Sequence, residues 1–132
     1  MTPDDERVQA LIEAARRVRE NAYAPYSGFR VGAAVLTDSG NVHVGCNVEN
    51  ASYGATICAE RAAVFRMVAS GDTRPVALAI FVDDPEPAMP CGMCRQVVSE
   101  FGRDVLVVTA TPDRVKHSTI EALLPDAFVL RK

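Results

Sequence analysis

Two short stretches of the chain carry residue types that can do metal chemistry. Cys58-Ala59-Glu60 comes first, and Pro90-Cys91-Gly92-Met93-Cys94 follows after a helical pattern and a strand pattern. The thiolate is the metal-binding form of cysteine, and it is favoured at a helix N-terminus, where unpaired N–H groups and the helix dipole concentrate positive charge. Both stretches read as helix starts, so three potential thiolates stand at two such ends. Three protein ligands suit a catalytic zinc that keeps its fourth position open for water, whereas a structural site usually closes with four. Glu60 lies two residues after Cys58, near enough to face the open position without being a ligand. That is the place of a general acid and base.

The surrounding pattern says which elements position these residues. From Asp4 to Ala22, the residues Val8, Leu11, Ile12, Ala15 and Val18 recur at helical spacing among Arg and Glu, an amphipathic helix that Asn21 to Gly28 ends. Phe29, Val31, Ala33 and Val35 open a strand that the turn Asp38-Ser39-Gly40-Asn41 joins to a second, Val42 to Cys46. Thr56 to Ser70 is alanine-rich helix, with Cys58, Ala62, Phe65 and Ala69 on one face and Gly71 as a stop. Val76 to Val82 is an apolar run of the kind buried on both faces of a sheet, and the proline-rich Asp83 to Pro90 is an irregular loop. Cys94, Val97, Val98 and Phe101 mark a short helix closed by Gly102; Val105 to Thr109 and Arg114 to Ser118 are further strands, and Thr119 to Leu124 a last helical turn or two. The order α-β-β-α-β-α-β-β-α predicts a mixed five-stranded sheet with helices on both faces, a three-layer α/β/α sandwich. In such open sheets, strands that lead into helices bring the helix starts to one edge, where ligands bind.

Composition narrows the partners. With 132 residues, 48% hydrophobic and 23% charged, residues 1–132 read as one compact domain. The net charge of -3 disfavours a surface dedicated to nucleic acid or anionic membrane and favours a small-molecule partner. No stretch approaches the ~20 apolar residues of a membrane span, and Met1 to Arg7 lacks a signal-peptide core, so a cytoplasmic protein is expected. In a reducing compartment Cys46, Cys58, Cys91 and Cys94 are thiols or metal ligands before they are disulfides. Cys46, inside the hairpin, is expected to be a core or contact thiol, and His43 and His117 to lie at the surface. No nucleotide or flavin motif is present.

A lone Cys-x-x-Cys is weakly specific, but Cys58-x-Glu60 joined to Pro90-Cys91-x-x-Cys94 matches the three-cysteine form of the zinc-deaminase pattern. Along nearly its whole length the chain resembles the cytidine deaminases of the short, homotetrameric, zinc-dependent type. The likeness runs through Tyr23-Ala24-Pro25-Tyr26-Ser27, Phe29-Arg30-Val31-Gly32-Ala33-Ala34, Gly45-Cys46-Asn47-Val48-Glu49-Asn50 and Leu123-Leu124-Pro125-Asp126-Ala127-Phe128. The resemblance implies hydrolysis of cytidine and deoxycytidine to uridine and deoxyuridine plus ammonia, a step of pyrimidine salvage. It implies one zinc per subunit on Cys58, Cys91 and Cys94, with Glu60 taking a proton from the zinc-activated water that attacks C4 and then returning protons to the base. By the same resemblance Asn47 and Glu49 bind the ribose, Phe29 packs on the nucleoside and the Ala59 N–H touches the pyrimidine. Tyr53 and Phe128 reach a neighbouring subunit's pocket, and Arg61 hydrogen-bonds the zinc thiolates. That last role has a physical reason: three thiolates outweigh the +2 of zinc, and a guanidinium on sulfur withdraws the excess.

Three other readings compete. A noncatalytic module would use Cys46 as a fourth zinc ligand; a redox protein would use Cys91-x-x-Cys94 alone and leave Cys58 and Glu60 unexplained. A related small zinc deaminase of another cytosine nucleoside, of the blasticidin S type, would share the zinc pattern. Phe29 with Asn47-Val48-Glu49-Asn50 favours a free pyrimidine nucleoside.

Overall fold

Asp5 starts the first helix by accepting a hydrogen bond from the Arg7 backbone N–H at 2.9 Å, a side-chain cap that satisfies one of the free donors of the first turn. The computed structural model describes residues 1–130 and contains helices α1 (Glu6–Arg19), α2 (Ala59–Ala69), α3 (Gly92–Ser99) and α4 (Ile120–Leu123). Its strands are β1 (Val31–Thr37), β2 (Val42–Cys46), β3 (Pro75–Val82), β4 (Leu106–Ala110) and β5 (Val115–Thr119), with a short 3-10 turn at Tyr53–Ala55. The predicted order of elements holds, with strand and helix ends displaced by a few residues.

The strands form one sheet in the order β2-β1-β3-β4-β5. β1 is antiparallel to both neighbours, β3 and β4 are parallel, and β5 is antiparallel to β4. Because side chains alternate across a strand, Ala33 and Val35 of β1, Leu78 and Ile80 of β3 and Val107 of β4 face one layer, where they pack with Ala63, Val64 and Met67 of α2, Val98 of α3 and Ile120 of α4. Ala34, Leu36, Ala77, Ala79, Phe81 and Val108 face the other, against Val8, Leu11 and Ala15 of α1. The α/β/α sandwich read from the sequence is the fold observed.

Register explains why the chemical residues meet. Gly32 pairs with Cys46 at the end of β2, Val31 pairs with Val82 at the end of β3, and Phe81 pairs with Ala110 at the end of β4. The C-terminal ends of β2, β3 and β4 therefore lie along one edge. The chain leaves β2 to enter α2 and leaves β3 to enter α3, so both helix starts stand over that edge.

The structure decides which way one helix face points and corrects one expectation. The spacing that groups Ala62, Phe65 and Ala69 marks the outer face of α2: Phe65 is 49% exposed, while Ala59, Glu60, Ala63, Val64 and Met67 are buried. The charged residues of this helix, Glu60, Arg61 and Arg66, are spread around it and leave no distinct apolar stripe, so periodicity could not choose its inner side. His43 is buried, contrary to the surface reading, because its Nε2 lies 2.8 Å from Asp72 Oδ2 and 3.3 Å from Ser70 Oγ. Asp72 also takes a 3.0 Å hydrogen bond from Asn41 Nδ2, so the β1–β2 turn is tied to the C-terminal end of α2. His117 is exposed, as expected. Among the described residues no helix is long and apolar enough to cross a membrane.

Candidate metal centre and catalytic pocket

Cys58 is the N-cap residue of α2 and Cys91 that of α3, and neither spends its side chain on capping its own helix. Cys94 lies in the first turn of α3 and is buried. The Sγ atoms of Cys58, Cys91 and Cys94 all lie within 4.8 Å of one another. Tetrahedral zinc with bonds of about 2.3 Å holds its sulfurs about 3.8 Å apart, so a trio this close is of the size that zinc needs. Cys46 is half-buried, is not part of the trio, and has its thiol pushed up by burial.

The charges around the sulfurs favour a cation. The Cys58 thiol is drawn down to about 5, first by the hydrogen bond from the Cys94 thiol and then by the Arg61 guanidinium. The same sharing with Cys58, together with burial, pushes Cys94 up. Arg61 Nη2 stands 3.6 Å from Cys58 Sγ and 3.4 Å from the Thr56 carbonyl oxygen. Arg61 Nε is buried with no hydrogen-bond partner among the described residues. A buried, unpaired guanidinium N–H beside clustered thiols suits a thiolate-rich metal centre, whose sulfurs can accept from it.

Glu60 is 6% exposed, and that burial is the main reason its carboxyl is raised above the usual carboxylate range. With Cys58, Ala59 and Cys91 it lines a cavity of about 220 Å³ whose other walls include Phe29, Asn47, Thr56 and Met89. Sulfurs, buried acid and an apolar wall thus face one space. Asn47 spends its side chain on the entry to β1, accepting from Val31 N at 2.9 Å and donating to the Phe29 carbonyl oxygen at 2.8 Å. It therefore fixes the Phe29 backbone beside the cavity that Phe29 lines.

Glu49 lines a second cavity, of about 250 Å³, with Tyr26, Ser27, Asn50, Tyr53 and Thr56. Its carboxylate accepts from the Ser27 hydroxyl and from the backbone N–H groups of Tyr26, at 2.9 Å, and Ser27, at 3.1 Å. The Ser27 hydroxyl is the largest of the contacts that hold its carboxyl below the usual range. Each cavity is smaller than the ~300 Å³ at which ligand pockets begin, but both are lined by Thr56. Tyr53 is 79% exposed and meets Tyr26 edge-on, with ring centroids 6.3 Å apart. Phe128 is 70% exposed and lines neither cavity.

Sequence reasoning singled out Phe29, Asn47, Cys58, Ala59, Glu60 and Cys91 in the first cavity and Glu49 and Tyr53 in the second. It did not assign Thr56, Ile80, Ala88 or Met89, which also line the first cavity. Ala88 and Met89 immediately precede Pro90-Cys91, and that adjacency was the available signal.

The family described as the cytidine and deoxycytidylate deaminase zinc-binding region matches residues 5–110. The chain belongs to this deaminase family. Among its relatives is a cytidine deaminase of Sporosarcina psychrophila, 44% identical over 123 residues that cover 92% of this chain and 90% of the other. A cytidine deaminase of Mycobacterium tuberculosis is 47% identical over 116 residues, covering 88% and 85%. The crystal structure of cytidine deaminase from Burkholderia pseudomallei superposes with a TM-score of 0.86 at 49% identity, covering 91% of this chain and 98% of that one. The family is a zinc-binding one, and Cys58, Cys91 and Cys94 form a cluster that could hold the ion.

Proposed function

We propose that this chain is a zinc-dependent cytidine deaminase, hydrolysing cytidine and 2'-deoxycytidine to uridine and 2'-deoxyuridine with release of ammonia. The observation that carries the reading is that the clustered cysteines Cys58, Cys91 and Cys94 stand at a cavity which Cys58, Cys91 and the buried Glu60 line together with Phe29 and Met89. When bound by Cys58, Cys91 and Cys94, zinc supplies a Lewis acid that makes water nucleophilic near neutral pH.

The chain's own residues do the rest. Glu60 accepts the proton that water loses as its oxygen adds to C4, and delivers it to N3 of the pyrimidine. A second proton, taken from the new C4 hydroxyl, passes through Glu60 to the amino nitrogen; the C4–N bond breaks, nitrogen departs as ammonia and C4 keeps the oxygen as the uridine carbonyl. A carboxyl raised by burial suits both tasks, since a shift toward neutral pH makes the carboxylate a stronger proton acceptor while the acid it becomes can still hand the proton on. The Ala59 N–H binds the pyrimidine, Phe29 packs on the nucleoside, and Asn47 and Glu49 bind the sugar. Arg61 draws charge from the sulfurs. Two small cavities that share Thr56 support a two-part ligand, base beside the sulfurs and sugar beside Glu49.

Residues 1–132 act in this reading as one catalytic domain of a cytoplasmic homotetramer serving pyrimidine salvage. The outward Tyr53 and Phe128 support pockets completed by a neighbouring subunit. The test is ultraviolet monitoring of the zinc-loaded protein with cytidine, deoxycytidine, adenosine and blasticidin S. Conversion of both cytosine nucleosides and not adenosine is expected; turnover of blasticidin S with neither cytosine nucleoside would overturn the substrate assignment.

A further inference from the structure

The loop from Asp83 to Pro90 delivers Cys91 to the metal centre, yet it is irregular and proline-rich. An irregular segment beside a core must find partners for its carbonyl groups, because an unpaired buried carbonyl is costly. Two residues outside the loop provide them. Thr109 of β4 is fully buried, and its hydroxyl donates to the Ala88 carbonyl oxygen at 2.9 Å. It stands in a strand that is otherwise Leu106, Val107, Val108 and Ala110, where a hydroxyl is costly unless it is hydrogen-bonded. In the β3–β4 ladder Thr109 is the partner of Ile80, itself a wall of the cavity. Arg95 of α3 is half-buried; its Nε donates to the Pro90 carbonyl oxygen at 2.7 Å and its Nη1 to the Leu123 carbonyl oxygen at 2.9 Å.

The residue between the two anchored carbonyls is Met89. It packs against the core on the α2–α3 side of the sheet and lines the cavity that holds Glu60 and Cys91. Unbranched and flexible, methionine takes whatever shape its backbone permits, so a wall made from it is only as well defined as the segment carrying it. The hydroxyl of Thr109 fixes the segment ahead of Met89. The guanidinium of Arg95 fixes it behind, one residue before Cys91.

We propose that Thr109 and Arg95 are positioning residues with separate tasks: Thr109 sets the Met89 wall against the substrate base, and Arg95 holds Cys91 at ligand distance from Cys58 and Cys94. The inference rests on the deaminase reading for the Thr109 task. The Arg95 task concerns metal retention and needs no turnover.

The experiment uses the zinc-loaded full chain and two readouts, steady-state kinetics with cytidine and the rate at which a chromophoric chelator extracts zinc. Thr109→Val removes the donor at nearly constant volume. It is expected to raise KM about 5-fold or more with kcat and zinc extraction within about 2-fold of wild type. Thr109→Ser, which keeps the hydroxyl, restores KM. Arg95→Gln is expected to speed zinc extraction about 10-fold or more, as loss of groups that orient metal ligands does elsewhere. Arg103→Gln serves as the control, since Arg103 Nη2 donates to the Leu124 carbonyl oxygen, at 3.1 Å, and so tethers the same C-terminal segment without touching the loop. Extraction from Arg103→Gln at the wild-type rate supports the assignment. Equal acceleration in both arginine variants overturns the Arg95 task, and an unchanged KM in Thr109→Val, or no rescue by serine, overturns the Thr109 task. Where Thr109→Val does not fold, Thr109→Ala carries the same comparison against Thr109→Ser. A wild-type protein inactive on cytidine would instead sink the deaminase reading, and the extraction rates would still decide the role of Arg95.

Discussion

Gly45 of β2 lies so close to Ala63 of α2 that a Cβ on it would stand 2.4 Å from the Ala63 backbone nitrogen and 2.7 Å from the Ala59 carbonyl oxygen. The obstructing atoms are helix backbone, which cannot rotate aside as a side chain can. The first turns of α2, bearing Ala59 and Glu60, thus rest directly on the strand. Gly45→Ala is expected to cost about 1–3 kcal/mol or more through overpacking, read from urea midpoints, and to move the start of α2 away from the Cys91 loop. A variant with wild-type stability and wild-type zinc content would show that the helix is not seated by this contact.

Glu60→Gln keeps the shape of the side chain and removes its proton chemistry. Because Glu60 is not one of the three clustered sulfur ligands, the variant should keep about one zinc per chain while cytidine turnover falls about 10²–10⁴-fold, the range that general acid and base groups contribute. Metal analysis and ultraviolet kinetics on one preparation check both halves. Turnover near wild type would remove Glu60 from the mechanism.

The cysteines should divide three to one. Cys94→Ser takes a buried ligand from the centre and should leave the purified protein without stoichiometric zinc, whereas Cys46→Ser should retain it. Zinc loss from Cys46→Ser would revive a four-cysteine structural site. Arg61→Ala belongs to the same series: it removes the guanidinium 3.6 Å from Cys58 Sγ and should weaken zinc binding about 10–100-fold in a competition titration.

What could be read from the chain, and what could not, follows from where each signal is written. The order of elements was legible because β1 and β3 are short apolar runs between turn residues and α1 has a clear inner stripe. The three-cysteine cluster was legible because its members fall at fixed spacings on two helix starts. The inner face of α2 was not, since its apolar and charged residues are intermixed around the axis and only the sheet beneath decides that Val64 and Met67 are buried and Phe65 and Val68 are not. The burial of His43 is not written locally, because Asp72, its partner, is 29 residues away in sequence and no local pattern announces the pairing. Thr109 was passed over for the same reason: 21 residues separate it from Ala88.

The His43–Asp72 contact predicts a pH dependence of stability. The His43 ring is the largest influence holding the Asp72 carboxyl below its ordinary value, followed by Asn41. A carboxyl depressed in the folded state contributes stability that is fully present above its unfolded pKa and is lost as pH falls through the folded one. Asp72→Asn should therefore be less stable than wild type at neutral pH, and the difference should shrink only below about pH 4, near the unfolded carboxylate value. Paired thermal melts between acid and neutral pH check this. A constant difference across that range would show that the carboxylate charge is not what ties the β1–β2 turn to α2.

The outer face of α2 carries the prediction about assembly. Phe65 and Val68 are 49% and 42% exposed on the helix whose first turn holds Glu60, an apolar surface expected at a subunit contact more than on a free face. If copies of the chain meet there, association also braces the helix that carries the acid. Phe65→Glu should lower the mass seen by light scattering while retaining helix and sheet signals in circular dichroism. Phe128→Ala tests the other half of the arrangement: its ring is 70% exposed and lines neither cavity of its own chain, so a substrate contact there has to be made across subunits. It should raise KM with mass and zinc content unchanged. Should Phe65→Glu keep both the wild-type mass and the wild-type KM, subunits do not meet on the outer face of α2, and the pockets are not completed by an assembly built on it.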